Sequence, residues 1–314
     1  MSRAIRQVVG KIRSMLVART RGNDIGPEEF VRLAYLVLLR RPVDETGMGD
    51  WRRRIERGTF DTQRVLDTLL GSDEYLASHG ADIFRYLHMA RQQWVRTLAP
   101  FDSILDIGGS SAGRREGALI ELGYPHRPAR LDILDLPPDR QFWGTPTFDQ
   151  TEPLDFDWGR VTYFHGRAEE VADVSALQSR RYACIFMGQA IEHILPEKLP
   201  SLLGWIRSHL LPGGRFVMDT PNRAITKIHS PHAYINADHK LEYTPAQLED
   251  VFAAAGFSVV RRTGLVHLPQ MACTGVFDAR WFPQAPLVHD DADASYLFAF
   301  EALPDIETED TQTP

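Results

Sequence analysis

The chain has 314 residues, 43% hydrophobic and 25% charged, with only two cysteines. That fits one α/β domain with a smaller companion, and excludes a disordered chain or a disulfide-built scaffold. The net charge of −7 is unevenly spread, because residues 1–22 hold Arg3, Arg6, Lys11, Arg13, Arg19 and Arg21 and no acid. An acidic body with one basic end excludes a general nucleic-acid binder, and no apolar run approaches the ~20 residues of a membrane span.

In residues 1–26, Ile5, Val8, Val9, Ile12, Leu16 and Ala18 recur at near-helical spacing. The segment reads as a basic amphipathic helix able to lie on an anionic membrane surface, or as a terminal helix packing on its own chain. Charges interrupt every stretch that could serve as a secretory signal. Cys184 and Cys273 lack metal-type spacing and fit a reducing compartment. The expectation is a cytoplasmic protein with peripheral contact at the inner membrane face through residues 1–22.

Residues 27–78 read as a small all-α docking domain. Pro27 with Glu28 and Glu29 opens a helix, as Pro at the first turn and acids near the positive dipole end should. Phe30, Val31, Leu33, Ala34, Leu36 and Leu38 continue it, Pro42 stops it, and Asp44-Glu45-Thr46-Gly47 is turn chemistry. Met48, Trp51 and Ile55 predict a second helix ended at Gly58, Val65 to Leu70 a third, and Ser72-Asp73-Glu74 caps a short fourth. The pattern Leu38-Leu39-Arg40-Arg41-Pro42-Val43-Asp44, Gly47, Trp51, Gly58 and Gly71-Ser72-Asp73-Glu74-Tyr75 resembles a helical domain of unknown function fused to glycosyltransferases and methyltransferases in surface-polysaccharide clusters. It is also similar to phycobilisome linker domains. The resemblance implies docking to polysaccharide-assembly proteins and no chemistry.

A connecting helix is expected over 81–99, with Ile83, Tyr86, Leu87, Ala90 and Trp94 on one stripe. Apolar strands follow at 103–107, 129–134, 161–165, 182–187, 214–219, 257–262 and 295–302, with helical or irregular segments between them. Strand alternating with helix means a mostly parallel sheet with right-handed crossovers. The catalytic-type domain is placed at 79–303, and residues 304–314 read as a disordered acidic tail.

Five features in this order carry chemistry. The first is Ser103-Ile104-Leu105-Asp106-Ile107-Gly108-Gly109-Ser110-Ser111-Ala112-Gly113, a strand running into an acid and a loop of small residues. Such a loop lets a nucleoside-type cofactor approach the backbone. A dinucleotide site would want G-x-G-x-x-G, whereas here Ser110 replaces the middle glycine. The acid two residues earlier suits an amine or sulfonium. The second is Arg130-Leu131-Asp132-Ile133-Leu134-Asp135, where an acid at the tip accepts ribose hydroxyls, Asp135 first and Asp132 as fallback. The third is Phe164-His165-Gly166-Arg167-Ala168-Glu169, the fourth Ile185 to Ile194 and the fifth Leu211-Pro212-Gly213-Gly214 running to Asn222.

Together with Glu242-Tyr243-Thr244-Pro245 to Phe257, these segments resemble a class I S-adenosylmethionine (SAM)-dependent methyltransferase. The broad group includes ubiquinone-pathway and sugar O-methyltransferases. The resemblance covers roughly residues 85–302 and implies a seven-stranded, mostly parallel Rossmann-like sheet with its last strand antiparallel. It implies SAM as cofactor, its methionine part over Asp106, Gly108 and Gly109, its ribose on Asp135 and its adenine near Arg167, Ala168 and Glu169. Gln189 falls on the same cofactor edge. The chain departs from the family's glycines two, four and six residues after the acid, since Ser110 and Ala112 stand at the later two and Gly113 is one late.

A hydroxyl acceptor needs a base near neutral pH, for which His is suited. His193, just past the fourth strand, is the first candidate, although Glu192-His193 can equally fix a turn. His239 is the second. Some quinone-pathway relatives hold a divalent ion through E-x-x-E-H. Gln189-Ala190-Ile191-Glu192-His193 keeps only two of those three ligands, and no Cys or His completes a zinc site with Asp238-His239 at suitable spacing. No metal is expected. The polar insertion after Asn222 holds His229, His232, Tyr234, Asn236, Asp238, Glu242 and Tyr243, past a strand's C-terminal end where open sheets bind ligands. Tyr234, Asn236, Glu242 and Tyr243 are the expected substrate contacts.

The resulting expectation is methylation of a sugar hydroxyl in a polysaccharide or lipid-linked glycan precursor. A quinone-like or other small metabolite as acceptor, and a cofactor-binding scaffold without turnover, remain the alternatives.

Overall fold

The computed structural model describes residues 26–39, 41–70, 72–141 and 146–305. The basic segment expected up to residue 26 lies outside the described residues except for Gly26. So do the tail beyond Asp305 and Arg40 and Gly71 of the helical motif. The chain divides into two compact units, one running to Tyr86 and including Pro269–Gln284, the other running from Leu87 to Leu268 and resuming at Ala285.

The first unit holds α1 (Pro27–Leu38), α2 (Glu45–Glu56), α3 (Thr62–Leu70) and the start of α4 (Asp73–Val95). Pro27 takes the first turn of α1 as its fixed φ favours. Asp44 is an N-cap rather than a turn residue, its side chain accepting from the Gly47 N–H at 2.7 Å. Gly58, at φ +67°, ends α2 as expected. The short fourth helix and the connecting helix are one continuous element, α4. Val31, Leu38, Met48, Trp51 and Val65 are buried. Within this unit the Tyr75 hydroxyl donates to Asp278 at 3.2 Å, and Asp278 is paired with Arg280. The Pro269–Gln284 excursion that brings Asp278 there carries no sequence signal of its own.

Among the described residues the second unit is built on nine strands: β1 (Ser103–Ile107), β2 (Arg130–Asp135), β3 (Leu154–Phe156), β4 (Gly159–His165), β5 (Tyr182–Gly188), β6 (Leu210–Pro221), β7 (Phe257–His267), β8 (Val288–His289) and β9 (Ser295–Pro304). Their order is β3-β4-β2-β1-β5-β6-β9-β7-β8. The expected seven are all present, and β3 and β8 add short antiparallel edges, so the sheet has nine strands rather than seven. Strands β4, β2, β1, β5 and β6 run parallel, and β9 lies antiparallel between β6 and β7.

The crossovers differ more from expectation. Only α5 (Ala118–Glu121), a single turn, follows β1, and 3-10 turns and loops lie between β2 and β5. Pro137, Pro138, Pro146 and Pro153 in the β2–β4 connection explain why no α-helix forms there among the described residues. On the other half, α6 (Leu199–His209), α7 (Arg223–His229) and α8 (Pro245–Ala254) form. Thr244 and Gln247 close a reciprocal capping box at α8, with Pro245 in the first turn. Leu202, Leu203, Ile206, Leu248 and Phe252 of α6 and α8 pack with Ile185, Phe216, Met218, Phe298 and Phe300 in the core. Among the described residues no helix is long and apolar enough to cross a membrane.

Connections reverse direction between β1 and β5. The crevice beyond the strand tips at such a switch point is where open α/β sheets bind ligands.

Candidate active site

The loop after β1 keeps to the sheet for one more bond, as the Gly108 N–H donates to the Leu134 carbonyl at 2.8 Å. Gly108 then turns at φ +78°, where a Cβ would meet the Ala190 Cβ at 3.2 Å. The β1 and β5 loops therefore touch. At Gly109 a Cβ would fall 2.1 Å from the Asp106 Cγ, so only glycine lets that carboxylate lie beneath the loop. Asp106 is 2% exposed and accepts from the Leu119 N–H at the start of α5. Burial pushes its pKa up to about 7. Asp106 thus shapes the loop from below.

The glycine that closes the loop is Gly117, which the spacing did not reveal. Its φ is +84°, and a Cβ would lie 2.4 Å from the Ile133 Cδ1 and 2.9 Å from the Gly109 carbonyl. Gly113, expected to be the displaced third glycine, has nothing within 4 Å and no positive φ. Gly117→Ala is expected to cost about 1–3 kcal/mol of stability through overpacking and to weaken cofactor binding at least about tenfold, through the 1.4 kcal/mol-per-decade relation. Gly113→Ala should change neither. Urea midpoints and calorimetric titrations of the two variants check this, and equal behaviour would relocate the closure of the loop.

At the β2 tip, Asp135 accepts from the Ser110 N–H at 2.9 Å and the Leu136 N–H at 2.7 Å. Burial raises its pKa. Asp132 is no ribose acid, being fully buried and held by Arg180 at 2.7 Å and the Tyr182 hydroxyl at 2.9 Å. Next to Asp135 in register stands His165 of β4. Both its ring nitrogens are buried without a partner among the described residues, which marks a place for a polar ligand. Arg167 is exposed and pairs with Glu169 at 2.8 Å, with Ala168 between them at the start of a 3-10 turn.

Gln189 takes φ +53° after β5 and is tied to β6. Its backbone N–H donates to the Asp219 carbonyl and its side-chain amide to the Asp219 carboxylate, each at 2.8 Å. Arg91 of α4 also donates to that carboxylate, at 2.7 and 3.2 Å. Gly188 makes room for the pair, as a Cβ there would lie 2.6 Å from the Arg91 Nη2.

The turn Ile191–His193 follows. The N–H groups of Lys240 and Leu241 donate to the Glu192 carbonyl at 2.7 and 3.2 Å, pinning the insertion onto this turn. The two base candidates are thereby brought together, with the rings of His193 and His239 edge to face at 4.8 Å. Glu192 is 1% exposed, accepts from the Thr220 hydroxyl at 2.9 Å and has its pKa pushed up to about 7 by burial. Its other oxygen lies 4.0 Å from the His239 Nε2. The His239 Nδ1 bonds Glu242 at 2.8 Å.

Glu242 and Tyr243, expected at the substrate, are both buried. Glu242 accepts from the Ile235 N–H at 2.9 Å and from Thr226, with Arg223 3.5 Å away. Burial would raise its pKa, but the bonds from His239, Thr226 and Ile235 hold it below the ordinary carboxylate value. It orients His239 and organises the insertion. Tyr243 belongs to the apolar core. Tyr234 lies under the Arg223 guanidinium at 5.1 Å, and Asn236 accepts from the Asp238 N–H at 3.0 Å. Both are half-buried. The burial of His193 lowers its pKa, and the neighbouring His239 adds to the effect. That leaves a neutral imidazole at pH 7.

A model described as "Methyltransferase domain" matches residues 73–262, and one for a domain of unknown function (DUF4214) matches residues 11–79. A search of curated proteins finds no match. Similar solved structures include a SAM-dependent methyltransferase from Archaeoglobus fulgidus (15% identity, 71% of this chain and 93% of that one, TM-score 0.45). Another is a SAM-dependent methyltransferase from Thermotoga maritima (15%, 72% and 93%, 0.46). A third is an O-methyltransferase family protein from Burkholderia thailandensis (12%, 90% and 73%, 0.40). The family match spans more than half of the chain; the chain belongs to the methyltransferase domain family, and is a methyltransferase enzyme.

Proposed function

We propose that the protein transfers the methyl group of SAM to a hydroxyl of a sugar in a polysaccharide or lipid-linked glycan precursor. The observation that carries this reading is the His239–Glu242 pair. An ionised Glu242 accepts a hydrogen bond from the His239 Nδ1–H and fixes the tautomer, so the His239 Nε2 presents its lone pair beside Glu192 and His193. A lone pair so placed either takes a hydroxyl proton itself or holds a cation that acidifies the hydroxyl.

The residues at the strand tips fit the cofactor. The Gly108–Gly109 turn leaves no side chain between a ligand and the backbone, and His165 offers buried, unused nitrogens beside Asp135. Asp135 and His165 would hold the ribose end, and the Gly108–Gly109 backbone with the Gln189 turn the methionine end. When bound, the cofactor supplies a methyl group already activated on sulfonium. The chain then has to align the acceptor, exclude water and manage the hydroxyl proton. The insertion around Tyr234, Asn236 and His239 is polar, which suits a hydroxyl-rich acceptor. The likeness of residues 27–78 to modules found beside glycosyltransferases supports the same class, by analogy alone.

The test is methyl transfer from labelled SAM to a panel of nucleotide sugars and lipid-linked sugars, with catechol and quinol acceptors alongside. Labelled sugar products are expected. Turnover confined to the aromatic acceptors would overturn the sugar assignment, and no SAM binding at millimolar cofactor would overturn the whole reading.

A further inference from the structure

We infer that Glu192, His193 and His239 form a binding site for one divalent first-row transition cation of the zinc type. The inference rests on the acceptor-side reading above, since the cation would sit where the acceptor hydroxyl is activated.

Among the described residues, this is the one group of His, Cys, Asp and Glu side chains whose donor atoms could together hold a metal, all lying within 4.8 Å of one another. The donors of a tetrahedral zinc site are spaced about 3.4 Å apart, as bonds of about 2.0–2.1 Å require. The widest separation needs to tighten by about 1.4 Å, within reach of ring rotation about side-chain torsions.

Two of the groups are held from behind. Glu242 bonds the His239 Nδ1 at 2.8 Å, and the Thr220 hydroxyl bonds the Glu192 Oε2 at 2.9 Å. This is how ligand side chains are oriented in metal sites, with a carboxylate behind a histidine as the commonest device. The three groups come from two segments fastened to one another by the Lys240 and Leu241 N–H bonds to the Glu192 carbonyl. The gap is therefore built by main-chain structure, and the Glu192 carboxyl group sits in it almost without solvent exposure.

The donor set chooses the ion. Two imidazoles and one carboxylate suit zinc, cobalt, nickel, manganese or iron, whereas magnesium and calcium want oxygen ligands. The short-range motif alone hid the site, because Gln189 at its first position is turned to Asp219. The third ligand, His239, arrives from the insertion after β6. A cation held here keeps positions open for the acceptor oxygen and lowers the proton affinity of a hydroxyl bound to it.

The experiment loads the full-length, chelator-treated protein with Co²⁺ and with Zn²⁺. One equivalent of Co²⁺ is expected, with visible d–d absorption that Zn²⁺ removes. Glu192→Gln and His239→Asn should each weaken binding by more than about tenfold, and Glu242→Gln by about 10–100-fold through its hold on His239. His232→Asn, an exposed histidine of the same insertion, should leave binding unchanged. Absence of a d–d band in the wild-type protein at one equivalent overturns the inference whatever the variants do. A band that survives in Glu192→Gln and His239→Asn also overturns it. Cobalt binding without methylation of any sugar would leave the site standing and overturn the sugar reading. Methylation of sugars by metal-free protein that binds no cobalt would do the reverse.

Discussion

His239→Gln is expected to lower methyl transfer by about 10²–10⁴-fold, the range for removing the group that activates the hydroxyl, as its base or through a cation it holds, while SAM affinity stays within about twofold. The loss follows from the geometry of one nitrogen. With Nδ1 committed to Glu242, only Nε2 faces Glu192 and His193. Glutamine keeps polarity and approximate volume but offers no nitrogen lone pair. Glu242→Gln should reproduce part of the loss, about 10–100-fold, because the amide no longer fixes the tautomer although the ring remains. His193→Gln should fall between these two. Single-turnover transfer measured beside calorimetric SAM titration separates the effects. A His239→Gln enzyme with wild-type turnover, or one that loses SAM binding in proportion to rate, would place the group that activates the hydroxyl elsewhere.

Much of the sheet was legible because its strands are buried apolar runs bounded by turn residues, and β1 falls on the residues the pattern picks out, 103–107. The crossovers were not, because strand periodicity says nothing about how chain returns. A single turn of α5 suffices where Asp106 caps Leu119. The third glycine was misplaced for a related reason. Glycine spacing assumes a helix beginning at once after the loop, whereas here the chain wanders from Ser110 to Glu116 before Gly117 turns it back onto Ile133.

His193 and His239 were both visible as candidates, but their contact was not. It depends on two backbone bonds to the Glu192 carbonyl that no side-chain pattern encodes. Glu242 was misread because a carboxylate among polar residues looks solvent-facing. Burial is decided by its four partners, Ile235, Thr226, His239 and Arg223.

Asp219→Ala should destabilise the second unit by about 3–5 kcal/mol, the usual consequence of leaving a partly buried charge uncompensated. Asp219 is fully buried at the end of β6, and Arg91 reaches it from α4 with only 16% of its side chain exposed. Removing the carboxylate strands that guanidinium against Gly188, where no side chain can fill the space. It also frees the Gln189 amide from the contact that secures a positive φ on a non-glycine residue, a conformation that persists only when neighbours enforce it. The Gln189 turn leads directly into Glu192 and His193. Stability and activity should therefore fall together here, unlike at His239. Asp219→Asn keeps an acceptor and loses the charge, so an intermediate loss is expected. The decisive comparison adds Arg91→Met to Asp219→Ala. If the cost is the orphaned charge, the double variant regains a large part of the lost urea stability and none of the activity. If the double variant is no more stable than Asp219→Ala alone, the loss comes from the carboxylate's role in holding the Gln189 turn, and the ion pair contributes little.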